Sequence, residues 1–91
     1  MRVEWSAAAR RDLLRLEAFL RPVSPRAGAR VVRMLVDAAA RLPEFPHIAP
    51  SVDAYEGRDV RSLLVGDYNM HYEVRVDVIS IVRVWHTRED R

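Results

Sequence analysis

Residues 60–86 read VRSLLVGDYNMHYEVRVDVISIVRVWH, and this stretch decides the fold. Apolar and polar residues alternate through most of it, which is the pattern of β-strands with one buried face. Two breaks, Gly66–Asp67 and Val76–Asp77, divide the stretch. Because each break is two residues long, the pattern predicts antiparallel strands joined by tight hairpins. The predicted strands cover residues 60–65, 68–75 and 78–86.

Tight hairpins also determine which residues lie opposite each other and on which face. The middle strand places Tyr68, Met70 and Tyr72 on one face, which is mostly apolar and is expected to cover the helices. Their predicted neighbours on the flanking strands are, in the same order, Val65 and Trp85, Leu63 and Arg83, and Arg61 and Ile81. The other face is expected to be open and to carry Ser62, Asn69, His71, Glu73, Ser80 and His86. Val76–Asp77 suits a tight turn poorly, so that turn can be longer or bulged, and a one-residue bulge would exchange the faces.

The residues before this stretch have the period of helices. Ser6 is the predicted N-cap of a first helix, and Ser24 followed by Pro25 is the predicted start of a second. Pro22 ends the first helix. Apolar stripes mark the buried faces at Ala9, Leu13, Leu16 and Leu20, and at Ala27, Val31, Met34, Leu35, Ala38 and Leu42. The short connection predicts an antiparallel helical hairpin over about residues 6–42.

The remaining residues complete a single domain over 1–91. Residues 2–5 alternate polar and apolar side chains and are predicted to form a first strand that pairs with the sheet. Three prolines interrupt any period in residues 43–59, which are predicted to be a loop. The predicted fold class is therefore α+β, in the order β-α-α-β-β-β, with the helical hairpin packed on one face of an antiparallel sheet.

Composition excludes several classes of function. The chain has no cysteine and only three histidines, none at helical ligand spacing, so we expect no metal site. Three scattered glycines do not build a phosphate-binding loop, and we expect no cofactor. No apolar run approaches the roughly 20 residues of a membrane span, and no signal-peptide pattern opens the chain. We therefore expect a cytoplasmic protein with no membrane partner.

All fifteen basic residues are arginines, and the net charge of +2 is too small to argue for nucleic-acid binding by itself. Arg58, Arg61, Arg83 and Arg88 belong to the sheet half, where they could bind phosphates or a partner's carboxylates. The alternative is internal pairing with acidic residues of the same half, namely Asp59, Asp67, Glu73 and Glu89. His86 is the histidine best placed to act as a general base, the alternative being an exposed or helix-capping histidine.

The second predicted helix carries an additional apolar row beside its core stripe. The row consists of Gly28, Val32, Val36 and Ala39. A helix that is apolar over most of its circumference is either unusually buried or covered by a partner.

Five phrases occur in order along the chain: Trp5–Leu13 (WSAAARRDL), Leu42–Pro46 (LPEFP), Gly57–Arg61 (GRDVR), Gly66–Val74 (GDYNMHYEV) and Ile81–Asp90 (IVRVWHTRED). Together they resemble the ParE/RelE superfamily, the toxins of type II toxin–antitoxin modules, which are often called plasmid-stabilisation proteins. The resemblance covers essentially the whole chain. It implies a bacterial toxin that forms a hetero-oligomer with a cognate antitoxin.

The resemblance leaves two targets open. RelE-like members cleave messenger RNA on the ribosome, whereas ParE-like members inhibit DNA gyrase. Asn69 stands where the RNase branch typically has an arginine, the chain has no lysine, and no tyrosine follows Tyr72. These departures favour a gyrase inhibitor that acts by protein contact. The alternatives are a RelE-type endoribonuclease with a substituted site, and an inactive member that only binds its antitoxin.

Two sets of site residues follow from these expectations. The toxic surface is expected to lie at the end of the last strand and in the tail. Its predicted residues are Arg83, Trp85, His86, Arg88 and Glu89, with Arg58 and Arg61 as neighbours. If the chain is an RNase, the catalytic candidates are His86, Arg61 and Arg83. The antitoxin is expected to cover apolar surface on the second helix and to pair its acidic side chains with arginines there, at Arg30, Val32, Arg33 and Val36.

Overall fold

The computed structural model describes residues 1–89 and has the predicted α+β architecture. The elements are β1 (Arg2–Trp5), α1 (Ala7–Leu20), α2 (Pro25–Arg41), a 3-10 turn (Leu42–Glu44), β2 (Val60–Val65), β3 (Tyr68–Val74) and β4 (Val78–His86). Four strands form one sheet in the order β1-β4-β3-β2. The last three strands are antiparallel, as predicted, and β1 pairs in parallel with β4. Within residues 1–89, no helix combines the length and the apolar composition needed to cross a membrane.

Both helices begin where the sequence predicts. The hydroxyl of Ser6 accepts a hydrogen bond from the Ala9 amide at 3.0 Å, and that of Ser24 accepts from the Ala27 amide at 3.4 Å. These contacts satisfy amide groups that a helix leaves without partners in its first turn. Pro25 occupies the first turn of α2, where a missing amide hydrogen costs nothing.

The helices of the hairpin touch at Gly28. A Cβ atom at this position would lie 2.9 Å from the Glu17 carbonyl oxygen, so only glycine permits this approach of α2 to α1. The second apolar row of α2 therefore divides between two environments. Gly28 and Ala39 are buried inside the domain, whereas Val32 is half-buried and Val36 is exposed. Only the valine half of the predicted row remains as surface for a partner.

Replacing Gly28 with alanine should destabilise the fold by about 1–3 kcal/mol, because the added methyl group overpacks the helix contact. Helix propensity alone predicts the opposite sign, since alanine is favoured over glycine by roughly 1 kcal/mol inside a helix. Urea unfolding of Gly28→Ala and the parent chain measures the difference. A variant more stable than the parent would show that α1 moves aside at no cost.

The register of the sheet matches the prediction on one side of β3 and departs from it on the other. Tyr72 pairs with Arg61 and with Ile81, as predicted. A bulge then shifts β4 by one residue between His71 and Tyr72, so that Val82 has no partner on β3. Beyond the bulge Met70 pairs with Val84 rather than with Arg83, and Tyr68 pairs with His86 rather than with Trp85.

Ser6 hydrogen-bonds β4 at this bulge. Strand β1 ends at Trp5, which pairs with Ile81, and the chain then turns into α1. The Ser6 amide donates to the Ile81 carbonyl at 3.0 Å, and the Ser6 hydroxyl donates to the Val82 carbonyl at 3.0 Å. β4 therefore pairs with β1 as far as Ile81 and contacts the N-terminus of α1 at the bulged residue Val82.

The bulge reverses the predicted faces of the last residues of β4. Arg83 and Trp85 were predicted to lie on the helix-covered face, and this prediction was wrong, because both lie on the open face. Val84 is instead fully buried against the helices. His86, which was predicted to lie on the open face, is on the helix-covered side beside Tyr68.

The loop over residues 45–59 is pinned to the sheet. The Tyr72 hydroxyl, on a fully buried side chain, donates to the Pro46 carbonyl at 2.8 Å. Farther along, Ser51 forms a bridge with Arg61, and the Val52 amide donates to the Val60 carbonyl at 2.8 Å. The loop therefore covers part of β2 and carries its next residues onto the open face.

Candidate functional site

An aromatic cluster lies on the open face of the sheet. The Tyr55 hydroxyl and His71 Nδ1 are 3.2 Å apart, and their rings meet edge to face. The His71 ring also meets the Trp85 ring edge to face, with centroids 4.6 Å apart. The pinned loop supplies Tyr55, and the bulge in β4 turns Trp85 toward this face. We call Tyr55, His71 and Trp85 the aromatic cluster.

An ion pair borders the aromatic cluster. The Arg58 guanidinium donates to both oxygens of the Glu73 carboxylate, at 3.0 and 3.2 Å, and lies 5.4 Å from the centre of the Tyr55 ring. These hydrogen bonds hold the pKa of Glu73 below its usual value. Arg58 is thus already paired with an anion, as the internal-pairing alternative for the arginines predicted.

Asp12 of α1 is buried against the edge of β4, and its carboxylate accepts hydrogen bonds from three residues. Its carboxylate accepts from the Val84 amide at 2.8 Å and from Arg83 at 2.9 and 3.1 Å. Arg15 donates to the same carboxylate at 3.2 Å and also to the Val84 carbonyl. Asp12 therefore replaces the strand partner that β4 lacks beyond Ile81, and Arg83 is part of this structural network.

The residues after β4 are tied to the same helix. Glu89 accepts from the His86 amide at 2.7 Å and also pairs with Arg15. His86 Nδ1 accepts from the Arg88 amide at 3.0 Å, so the imidazole caps a turn and not a helix. The Arg88 side chain forms no ion pair with residues 1–89. Asp90 and Arg91, the end of the predicted toxic tail, lie outside the described residues.

A cleft of about 360 Å³, here called the tail cleft, separates this turn from α1. Its lining residues are Arg15, Leu16, Phe19, Leu20, Tyr68, His86, Arg88 and Glu89. Phe19 is 78% exposed at its mouth, and burial raises the pKa of the Tyr68 hydroxyl at its floor. Apolar walls with charged groups at the rim are typical of a site that binds another molecule.

The three catalytic candidates from the sequence do not form one site. Arg61 lies opposite Tyr72 and donates to the Ala49 carbonyl and to Asp59, which is a structural role. His86 lies on the other side of β3, opposite Tyr68, which is four residues and hence about 13 Å along the strand from Tyr72. The predicted toxic surface is likewise divided. Trp85 and Arg58 lie on the open face, Arg83 in the Asp12 network, and His86, Arg88 and Glu89 at the tail cleft.

A groove of about 700 Å³ runs between α1 and α2 on the outer side of the hairpin, and we call it the outer groove. Its lining residues are Arg10, Leu13, Leu14, Glu17, Ala29, Val32, Arg33 and Val36. Three of the four predicted antitoxin contacts line it, whereas Arg30 does not. A second depression shares Arg10, Leu13 and Val36 with it and continues to β1. β1 is an edge strand, so the surface leads from an apolar groove to strand backbone.

Sequence reasoning did not single out the aromatic cluster. His71 was placed on the open face by the period of β3, and that placement is correct. Tyr55 lies in a loop without a repeating pattern, and Trp85 reaches this face only through the bulge. A histidine on the polar face of a central strand was the one signal available in the sequence.

Comparisons with known proteins agree with this architecture. A family model described as the ParE toxin of the type II toxin–antitoxin system parDE matches residues 3–91. No curated protein matches the chain significantly. A solved structure of a chromosomal ParDE toxin–antitoxin system from P. aeruginosa is similar, with a TM-score of 0.75, 19% identity, and coverage of 94% of this chain and 95% of that chain. The RelBE2 toxin–antitoxin complex of Mycobacterium tuberculosis is similar with a TM-score of 0.62, 27% identity, and coverage of 92% and 94%.

Proposed function

Because the chain belongs to the ParE toxin family of type II toxin–antitoxin systems, we propose that it inhibits DNA gyrase by protein contact and that a cognate antitoxin neutralises it. A target of this kind also implies action in the cytoplasm. The proposal extends the family assignment to a particular target and to particular surfaces of the chain.

The separation of the catalytic candidates is the observation that supports this target. RNA cleavage by the 2′-hydroxyl needs a base, an acid and a cation that meet at one phosphate. Arg61 and His86 lie on opposite sides of β3, and their partners on β3, Tyr72 and Tyr68, are about 13 Å apart along the strand. Arg83 is held by the buried Asp12 carboxylate. None of these three groups is placed to act with the others on a single bond.

The alternative function, a RelE-type endoribonuclease, has one observation in its favour. The aromatic cluster places an imidazole and a phenol, two groups that can act as base and acid, 3.2 Å apart on the open face. Arg58 borders the cluster and Arg83 pairs with His71 in the sheet, and carboxylates hold both guanidinium groups. For cleavage, one of these arginines would therefore have to leave its carboxylate so that its guanidinium could stabilise the phosphorane charge.

The antitoxin is proposed to bind the outer groove. Leu13, Val32 and Val36 offer apolar surface there, and Arg10 and Arg33 at the rim suit acidic side chains. The depression that continues to β1 allows an extended segment of the antitoxin to follow its helical segment.

We expect the purified chain to inhibit gyrase supercoiling and to leave messenger RNA on translating ribosomes intact. Arg88→Glu should lower inhibition about tenfold or more, since arginine is among the residue types that contribute most to interfaces. Arg75→Glu is the matched control, because it makes the same charge change in the exposed turn at the other end of β4. Removing all residues from Arg83 onward is unsuitable, since Val84 is fully buried in the core.

The two assays separate the candidate functions. Cleavage of messenger RNA without gyrase inhibition would replace the proposal with the endoribonuclease. His71→Ala should then lower the cleavage rate about 10²–10⁴-fold, the range for loss of a general acid or base. Activity in neither assay, with antitoxin binding retained, would overturn both in favour of an inactive member.

A further inference from the structure

Four arginines form a stripe along the outside of α2. They are Arg26, Arg30, Arg33 and Arg41, and we call them the arginine stripe. At 3.6 residues per turn their side chains fall within about 80° of the helix circumference. Because the stripe runs from Arg26 to Arg41, it follows about 22 Å of the helix axis.

The arginines of this stripe are not paired with acidic groups in the part of the chain that the structure describes. All four side chains are exposed, and none forms a salt bridge or a side-chain hydrogen bond with residues 1–89. This differs from Arg58, Arg61 and Arg83 of the sheet half, each of which is paired with a carboxylate. One acid, Asp37, lies within the stripe and reduces its charge without pairing to it.

We propose that the arginine stripe binds the phosphate backbone of duplex DNA without reading its sequence. Each strand of a duplex carries one phosphate per about 3.4 Å of axis, so an axis of about 22 Å passes roughly six phosphates on one strand. A guanidinium group matches two oxygens of a phosphate at once, which an ammonium group does not. The inference goes beyond the proposed function, since it concerns DNA itself and needs no gyrase.

The chemistry of the stripe favours DNA over an acidic protein. A protein interface needs apolar or aromatic anchors at its centre, and the residues of the stripe include none. Such anchors lie in the outer groove, which shares only Arg33 with the stripe. A phosphate backbone needs positive charge in register and no apolar anchor.

Anisotropy of a labelled mixed-sequence duplex of about 20 base pairs tests the proposal with the purified chain. Four phosphate contacts predict a salt slope of about −3.6, so that affinity should fall about 100-fold between roughly 50 and 200 mM salt. The double variant Arg26→Gln with Arg30→Gln should retain a slope of about −1.8 and lose only about tenfold over this range. Asp37→Asn should raise affinity about two- to fivefold, the size of one exposed charge interaction.

The control removes the same net charge elsewhere. Arg11→Gln with Arg75→Gln changes two exposed arginines outside the stripe and should leave the slope unchanged. An equal loss in the control would overturn the proposal, because net charge and not the stripe would then set binding. Binding of polyglutamate but not of the duplex would also overturn it and would assign the stripe to an acidic protein. Arg26 and Arg30 do not line the outer groove, so the result is independent of antitoxin binding.

Discussion

Asp12→Ala should be the most destabilising single substitution considered for this chain, with a loss of about 3–5 kcal/mol. Asp12 is 3% exposed, and its carboxylate accepts from the Val84 amide, from Arg83 and from Arg15. Alanine would leave the Val84 amide buried without a partner and the Arg83 guanidinium without its carboxylate, whereas Arg15 would keep its pair with Glu89. A loss of this size is a large share of the roughly 5–10 kcal/mol that a domain of this length has available.

Urea unfolding measures this loss, with Glu17→Ala as the matched control. Glu17 also pairs with an arginine, Arg21 just after the end of α1, but that pair lies at the surface. Surface pairs contribute little to stability, so the control should unfold close to the parent chain. Equal effects of the two substitutions would show that the Asp12 contacts contribute no more than an exposed pair.

The same contacts predict the response to acid. Burial by itself would raise the pKa of Asp12, but hydrogen bonds from Arg83, the Val84 amide and Arg15 outweigh it and hold this pKa below its usual value. A carboxylate with a lower pKa in the folded state stabilises the fold above its unfolded pKa of about 3.9, and this contribution disappears as the pH falls through the folded pKa. The stability curves of the parent and of Asp12→Asn should therefore converge below about pH 4, whereas parallel curves would contradict this origin.

Val36→Asp should weaken binding of the cognate antitoxin at least about 100-fold, which corresponds to roughly 2.7 kcal/mol. Val36 is 40% exposed in the outer groove, so the free fold should tolerate the carboxylate. A covered carboxylate would lose its water and would repel the acidic side chains expected of the antitoxin. Titration calorimetry with the antitoxin measures the effect.

A valine far from the groove provides the control for this prediction. Val76 is 99% exposed in the turn between β3 and β4, and Val76→Asp adds the same charge without touching the outer groove. Its affinity should match that of the parent chain. If Val36→Asp also retained full affinity, α2 would not belong to the antitoxin interface.

Local patterns in the sequence were sufficient for the elements and for part of the sheet register. The caps at Ser6 and Ser24 satisfy amides only three residues away, so the sequence carries the whole interaction. The β2–β3 hairpin has its Gly66–Asp67 turn in the chain, and Gly66 adopts the positive φ that a tight turn requires. The family resemblance could also be recognised from the sequence, because each of its five phrases is a continuous stretch of the chain.

The placement of the site residues was decided only by the tertiary structure. Ser6 meets Val82, and Asp12 meets Arg83 and Val84, across more than 70 residues of sequence. Where β1 ends, α1 takes over the edge of β4, and the bulge at this junction turns Arg83 and Trp85 outward and His86 inward. An alternating pattern contains no signal for one extra residue, because a bulge leaves the period intact on both sides and changes only its phase. The sequence by itself therefore determined which residues form strands and helices, and long-range packing against α1 determined which face the last four residues of β4 present.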